Sequence, residues 1–137
     1  MLATCIAYVR GANGDGGKVG TLGFCLGGSL ACLAATRLTP DCSVAYYPVR
    51  VGDWLPEAPR LATPLLIHFA ALDPFTPTAL RDDVARVLDS HAGSRAEVYA
   101  GVDHAFHNPE RPAYDAAAAG LAWERSLAFL AAHLAPQ

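Results

Sequence analysis

The stretch "TLGFCLGGSLA" (residues 21–31) joins two patterns with different periods. A run of β-forming residues ends at Phe24, Cys25 follows, and two glycines open an apolar segment of helical character. The sequence therefore predicts a strand, a turn and a helix in succession, with Cys25 on the turn. Cys25 is then either a small buried hydrophobe or a nucleophile, and the remainder of the chain has to distinguish the two interpretations.

On both sides of this turn, apolar runs alternate with helical patterns, which is typical of a parallel sheet covered on both faces. The sequence predicts α/β architecture: a parallel sheet of about four strands with flanking helices, in one domain over residues 1–137. Thr78 is the predicted cap of the helix that follows the third strand. The predicted order is helix 1–10, loop 11–18, strand 19–24, helix 28–38, strand 43–47, an irregular proline-rich connection, strand 64–70, helix 78–91, strand 96–99 and helix 113–134.

Composition excludes several classes of partner. The formal charge is −3, the isoelectric point is near 5.9 and no cluster of Lys or Arg occurs, so we expect no nucleic-acid partner. No apolar run reaches the roughly 18 residues of a membrane span, so we expect no membrane partner and a cytoplasmic protein. The four cysteines show no metal-type spacing, so we expect reduced thiols and neither a metal nor another cofactor.

The segment Gly23-Phe24-Cys25-Leu26-Gly27 matches the G-x-nucleophile-x-G pattern of a nucleophile elbow. In such a turn the nucleophile is held at strained backbone angles, and the residues two before and two after it have to be small. The amide that follows the nucleophile, here that of Leu26, can donate to an oxyanion. The five residues alone fit a buried cysteine in a glycine-rich turn equally well.

Two further polar residues favour the nucleophile. Asp73 comes just after the third strand, and His104 lies in the loop after the fourth, in "GVDHAFHNP". The carboxyl ends of parallel strands meet at one edge of the sheet, so Cys25, Asp73 and His104 are expected to lie together. Their order along the chain is the one that α/β-hydrolases use. Asp103 is an alternative partner for His104, although neighbouring residues seldom face each other.

The motifs "GFCLGG", "AYYP", "PLLIHFAALD", "VYAGVDHAFHNPERPAYD" and "AWERSLAFLAAHL" resemble the dienelactone hydrolase (carboxymethylenebutenolidase) family of the α/β-hydrolase fold. The resemblance covers essentially this whole chain and the C-terminal part of a family member. It implies that Cys25 is the nucleophile, His104 the general base and acid, and Asp73 the residue that holds the imidazole. It also implies a small-molecule lactone or ester substrate that is opened through a thioester. Tyr46 and Arg111 are the candidate substrate-binding residues.

The same resemblance implies that the chain is an N-terminally truncated α/β-hydrolase domain. The family has further strands before the first helix seen here, with a second oxyanion amide, a glutamate and an arginine at the site. An alternative function is therefore a catalytically incompetent fragment or an assembly subunit, with self-association through an uncovered sheet edge. A glutamine amidotransferase is disfavoured because its His-x-Glu is absent from His104-Ala105-Phe106.

The remaining polar residues are interpreted as structural. His68 is expected to be a satisfied core histidine inside an apolar strand. Two histidines without a third ligand make a weak metal site, so His107 beside His104 is not taken as one. Cys5, Cys32 and Cys42 are expected to pack as small hydrophobes.

Overall fold

The computed structural model describes residues 1–14 and 16–136, and position 15 of the predicted loop 11–18 lies outside them. Along these residues helices and strands alternate as the apolar pattern predicts. The elements are α1 Leu2–Ala12, β1 Gly20–Phe24, α2 Leu26–Arg37, β2 Cys42–Tyr46, α3 Val51–Trp54, a 3-10 helix over Leu55–Arg60, β3 Leu65–Ala70, α4 Thr78–Asp89, β4 Arg95–Tyr99 and α5 Ala116–Leu134.

The strands form one parallel sheet in the order β1-β2-β3-β4, which confirms the predicted α/β class. Every residue of β2 and β3 is buried, because helices cover both faces of these central strands. On one face Ile67 packs with Cys32 of α2 and Val84 of α4. On the other face Leu66 packs with Phe129 of α5. Because the four strands are parallel, their carboxyl ends lie at the same edge of the sheet.

Three helix details differ from the sequence predictions. The proline-rich connection after β2 is helical, with α3 and the 3-10 helix in it. Thr78 was predicted as the cap of α4, and this is wrong: Pro77 holds the cap position, Thr78 is already helical, and its hydroxyl accepts from Arg81. Helix α5 begins at Ala116 because the Asp115 carboxylate accepts from the Ala118 amide at 2.8 Å.

Among the helices of residues 1–14 and 16–136, none combines the length and the apolar character that a membrane span requires.

His68 lies in the core, as predicted, with both ring nitrogens bonded. Nδ1 is 2.9 Å from the Tyr99 hydroxyl and Nε2 is 2.8 Å from the Ser126 hydroxyl. Ser126 donates its single proton to the Ala122 carbonyl, so Nε2–H and the Tyr46 hydroxyl both donate to Ser126. Nδ1 is then the acceptor from Tyr99. Burial lowers the pKa of His68 to about 3, which keeps this ring neutral.

The turn at Cys25 depends on two glycines, and they are not the pair that the motif indicates. A Cβ on Gly23 would lie 2.0 Å from the Gly27 carbonyl oxygen, and one on Gly28 would lie 2.7 Å from the Tyr46 carbonyl oxygen. A Cβ on Gly27 meets no atom within 4 Å. Strand β1 thus approaches the backbone of α2 at Gly23, while α2 approaches the end of β2 at Gly28.

Alanine at these positions should separate close approach from helix propensity. Gly28→Ala is expected to lower the free energy of unfolding by about 1–3 kcal/mol, because its Cβ has to displace backbone. Gly27→Ala should be neutral or stabilise by up to about 1 kcal/mol, since alanine favours a helix. Urea unfolding followed by circular dichroism measures both. Equal stability of the two variants would show that the approach at Gly28 is not a constraint.

Candidate active site

Cys25 occupies the sharp bend between β1 and α2. Its backbone has φ 55° and ψ −117°, a conformation that residues other than glycine rarely adopt. Two backbone hydrogen bonds fix this conformation: the Cys25 amide donates to Tyr46 at 3.0 Å, and the Ser29 amide donates to the Cys25 carbonyl at 3.1 Å. The thiol is partly exposed. The strand, the helix and the neighbouring strand together hold the cysteine in a strained and accessible position.

The start of α2 supplies hydrogen-bond donors beside the thiol. Helix α2 begins at Leu26, so the first amides of the helix have no intrahelical acceptor. The positive end of the helix dipole also lies there and favours negative charge. The Leu26 amide, which directly follows Cys25, is therefore suited to an oxyanion that forms at a carbonyl bound to the sulfur.

His104 is paired with Asp73. The Asp73 Oδ2 atom is 2.7 Å from His104 Nδ1, and the Asp73 side chain is fully buried. The second oxygen, Oδ1, accepts from the Phe75 amide at 2.9 Å. Asp103 is used differently, because its carboxylate accepts from the His104 backbone amide at 2.6 Å. With Nδ1 donating to Asp73, the Nε2 atom of a neutral His104 is the nitrogen able to accept a proton.

The thiol and the imidazole border the same cavity, which has a volume of about 650 Å³. Cys25 and Tyr47 line one part of it, and His104, Asn108 and Arg111 line another. Within residues 1–14 and 16–136, no hydrogen bond joins the Cys25 sulfur to His104. The structure thus places the three predicted residues at one edge of the sheet, with Asp73 and His104 in direct contact.

Tyr46, which was predicted to bind substrate, is fully buried and its hydroxyl is 2.7 Å from the Ser126 hydroxyl. That prediction is wrong, because the last strand residue points into the core. The next residue, Tyr47, lines the cavity instead. It has φ 34°, and its ring centroid lies 5.0 Å from that of His104. Burial and the neighbouring Cys25 raise the pKa of Tyr47 to about 12.

The other cysteines and His107 lie outside this arrangement. Cys5 was predicted to pack as a small hydrophobe, and this is wrong, because it is exposed on α1. Cys32 and Cys42 are fully buried, and burial raises the pKa of these thiols to about 12 and about 11. The His107 ring packs 5.3 Å from Phe24 and 5.9 Å from Trp123 between centroids. In the part of the chain that the structure describes, no three His, Cys, Asp or Glu side chains are grouped so as to hold a metal ion.

A cysteine at a strained strand-to-helix turn, followed along the chain by an Asp and a His at the same sheet edge, defines an α/β-hydrolase fold. The chain belongs to the dienelactone hydrolase family, whose family model matches residues 2–134. This confirms the resemblance drawn from the sequence motifs.

Individual relatives agree with that assignment. The chain is 35% identical over 130 residues to a carboxymethylenebutenolidase of Pseudomonas putida, covering 95% of this chain and 55% of that protein. It is 30% identical to carboxymethylenebutenolidase 1 of Cupriavidus pinatubonensis, with the same two coverages. A crystal structure titled "putative dienelactone hydrolase" from Klebsiella pneumoniae superposes with a TM-score of 0.81 at 27% identity, covering 95% of this chain and 58% of the other. The chain therefore spans about half the length of these relatives.

Proposed function

We propose that this protein hydrolyses a lactone or ester bond with Cys25 as nucleophile, His104 as general base and acid, and Asp73 as the residue that orients His104. The observation that carries the proposal is the strained conformation of Cys25 on the wall of the cavity that His104 also lines. Strain of this kind persists where the surrounding structure imposes it, and it is concentrated at active sites. Curated relatives of this chain are named carboxymethylenebutenolidase, which agrees with this chemistry.

In the proposed mechanism, His104 Nε2 takes the proton of the Cys25 thiol, and the thiolate attacks the substrate carbonyl carbon. The Leu26 amide donates to the oxyanion of the tetrahedral intermediate. The carbon–oxygen bond then breaks, the leaving oxygen receives the proton from His104, and a thioester on Cys25 remains. Water attacks the thioester carbonyl while His104 accepts a proton from the water. The carbon–sulfur bond then breaks, the carboxylic acid is released, and the proton on His104 returns to sulfur to restore the free thiol.

The proposal predicts that hydrolysis depends on one cysteine. The full chain should hydrolyse activated aryl esters or a dienelactone above the rate in buffer. Cys25→Ala should lower that activity at least about 100-fold, because it removes the proposed nucleophile. Cys5→Ala is the matched control, since Cys5 is exposed on α1. Release of the aryl alcohol is followed by absorbance.

Two results would contradict the hydrolase proposal. Equal rates for the native chain and Cys25→Ala would show that the observed hydrolysis is background. A native chain without activity, with a folded circular dichroism spectrum, would favour the alternative function as an incompetent fragment or an assembly subunit.

We further propose that Arg111 binds an anionic group of the substrate. Arg111 is a cation on the cavity wall, and within the described residues it is in no ion pair. Asp103, which also lines the cavity, is engaged by the His104 amide. An arginine that lines an open cavity is suited to a carboxylate, which its guanidinium can bind through two parallel hydrogen bonds. This favours lactones and esters that carry a carboxylate.

Removing the Arg111 charge should act on substrate selection. Arg111→Met is expected to raise KM about tenfold for an aryl ester that carries a carboxylate, because a charge-assisted hydrogen bond contributes about 1.5–3 kcal/mol. A neutral aryl ester of the same size is the internal control, and its KM should stay within about twofold. Steady-state kinetics of both esters measure the difference. An equal change in the two KM values would rule out recognition of the anion.

Self-association is proposed for the uncovered edge of the sheet. Strand β1 pairs with β2 on one side, and the described chain provides no strand on its other side. Leu22 and Phe24 on this strand are 37% and 38% exposed. An edge strand with free backbone donors and acceptors and apolar side chains is a template for pairing with a second chain. A second copy of this chain is the occupant that we propose.

Charge placed on β1 should weaken this association. The native chain is expected to form a dimer, and Leu22→Lys should shift it toward monomer because a lysine on an edge strand opposes pairing. Val98→Lys is the control, since Val98 is 51% exposed on β4 at the opposite edge. Light scattering after size-exclusion chromatography gives the masses. A native chain that stays monomeric at every concentration, or equal shifts in both variants, would contradict the proposal.

A further inference from the structure

Arg81 is a buried charged residue that the mechanism above leaves unused. It lies in the first turn of α4 and is 7% exposed. Arginines such as Arg37 and Arg86 pair with carboxylates at the surface. Among residues 1–14 and 16–136, by contrast, no carboxylate lies within ion-pairing distance of Arg81. Burial of an unpaired guanidinium is unfavourable, and an aliphatic side chain would fill the same space at lower cost.

The Arg81 guanidinium provides directed hydrogen bonds to the turn before α4. Nη1 donates to the Thr76 carbonyl at 2.6 Å, and Nη2 donates to the Thr78 hydroxyl at 3.1 Å. Thr76 is itself fully buried, and its amide donates to the Asp73 carbonyl at 3.2 Å. Arg81 therefore closes the turn over residues 73–78 from the helix side.

This turn contacts the imidazole of His104 in two places. The Asp73 carboxylate binds Nδ1 at 2.7 Å, and the Phe75 ring packs edge-on with its centroid 5.1 Å from that of His104. The Phe75 amide also holds the second oxygen of Asp73. Thr76, whose carbonyl Arg81 binds, directly follows Phe75. A movement of Thr76 is thus transmitted by one peptide unit to both contacts with His104.

We propose that Arg81 is a positioning residue for the Asp73–His104 pair, acting through the Thr76 carbonyl. The proposal rests on the function proposed above, but the geometry that it describes exists without turnover. Replacing the guanidinium by an aliphatic chain leaves the turn free to relax, so Asp73 no longer holds Nδ1 at hydrogen-bonding distance. The imidazole then loses the hydrogen bond that fixes its orientation.

The test is the proton NMR signal of the His104 Nδ1–H in its hydrogen bond to Asp73, identified by its loss in His104→Ala. Arg81→Met should move this signal upfield or remove it by exchange with water, because a longer hydrogen bond to the carboxylate deshields and protects the proton less. Arg86→Met is the matched control, since Arg86 lies exposed on the same helix, and its signal should equal that of the native chain.

Activity gives a second readout. Arg81→Met should lower kcat about tenfold and leave KM within about twofold, because Arg81 does not line the cavity and acts on the orientation of the base. A native chain without hydrolase activity would refute the proposed function, while a changed His104 Nδ1–H signal in Arg81→Met would still support the positioning role.

An unchanged His104 Nδ1–H signal in a folded Arg81→Met chain overturns the proposal. If Arg81→Met gives no folded spectrum, Arg81→Lys replaces it, because lysine is a compact donor that cannot reach both acceptors as the planar guanidinium does. The expected result is then a smaller upfield shift. An unchanged signal in Arg81→Lys overturns the proposal in that case.

Discussion

The site depends on a close approach between two backbones, that of β1 at Gly23 and that of α2 at Gly27. A Cβ on Gly23 would lie 2.0 Å from the Gly27 carbonyl oxygen. Because glycine has no Cβ, the strand can turn directly into the helix at this point. Cys25, the residue at the bend, is held at φ 55°, and its amide donates to the Tyr46 carbonyl at the end of β2. The strain at the cysteine is thus stabilised by the packing of the sheet against α2.

The parallel sheet converts this local bend into a composite site. Since all strands run in one direction, residues that follow β1, β3 and β4 meet at one edge although they are far apart in sequence. Asp73 is held there by the turn before α4, in which the Phe75 amide donates to its carboxylate. The buried Arg81 donates to the Thr76 carbonyl of the same turn. His104 is then oriented by Asp73 and faces the cavity that Cys25 lines.

Sequence patterns predicted those features that depend on period and chain order, and missed those that depend on three-dimensional packing. Continuous apolar runs predicted the strands, and G-x-C-x-G with a later Asp and His predicted the candidate site. Tyr46 was misassigned because one residue decides whether a side chain at a strand end points to the core or the cavity, and Tyr47 leaves the strand at φ 34°. The Thr78 cap failed because Pro77 ends the preceding turn. A buried Arg81 has no sequence signature, since its partners are a carbonyl and a hydroxyl.

The central claim is that Cys25 forms a covalent acyl intermediate, and the most direct measurement is the mass of the chain quenched in acid during turnover of an aryl ester. The proposed mechanism predicts a mass increase equal to the acyl group, located by peptide mapping on the fragment that contains Cys25 and absent from Cys25→Ala. Turnover without any such adduct, or an acyl group on Cys5 in place of Cys25, would contradict it.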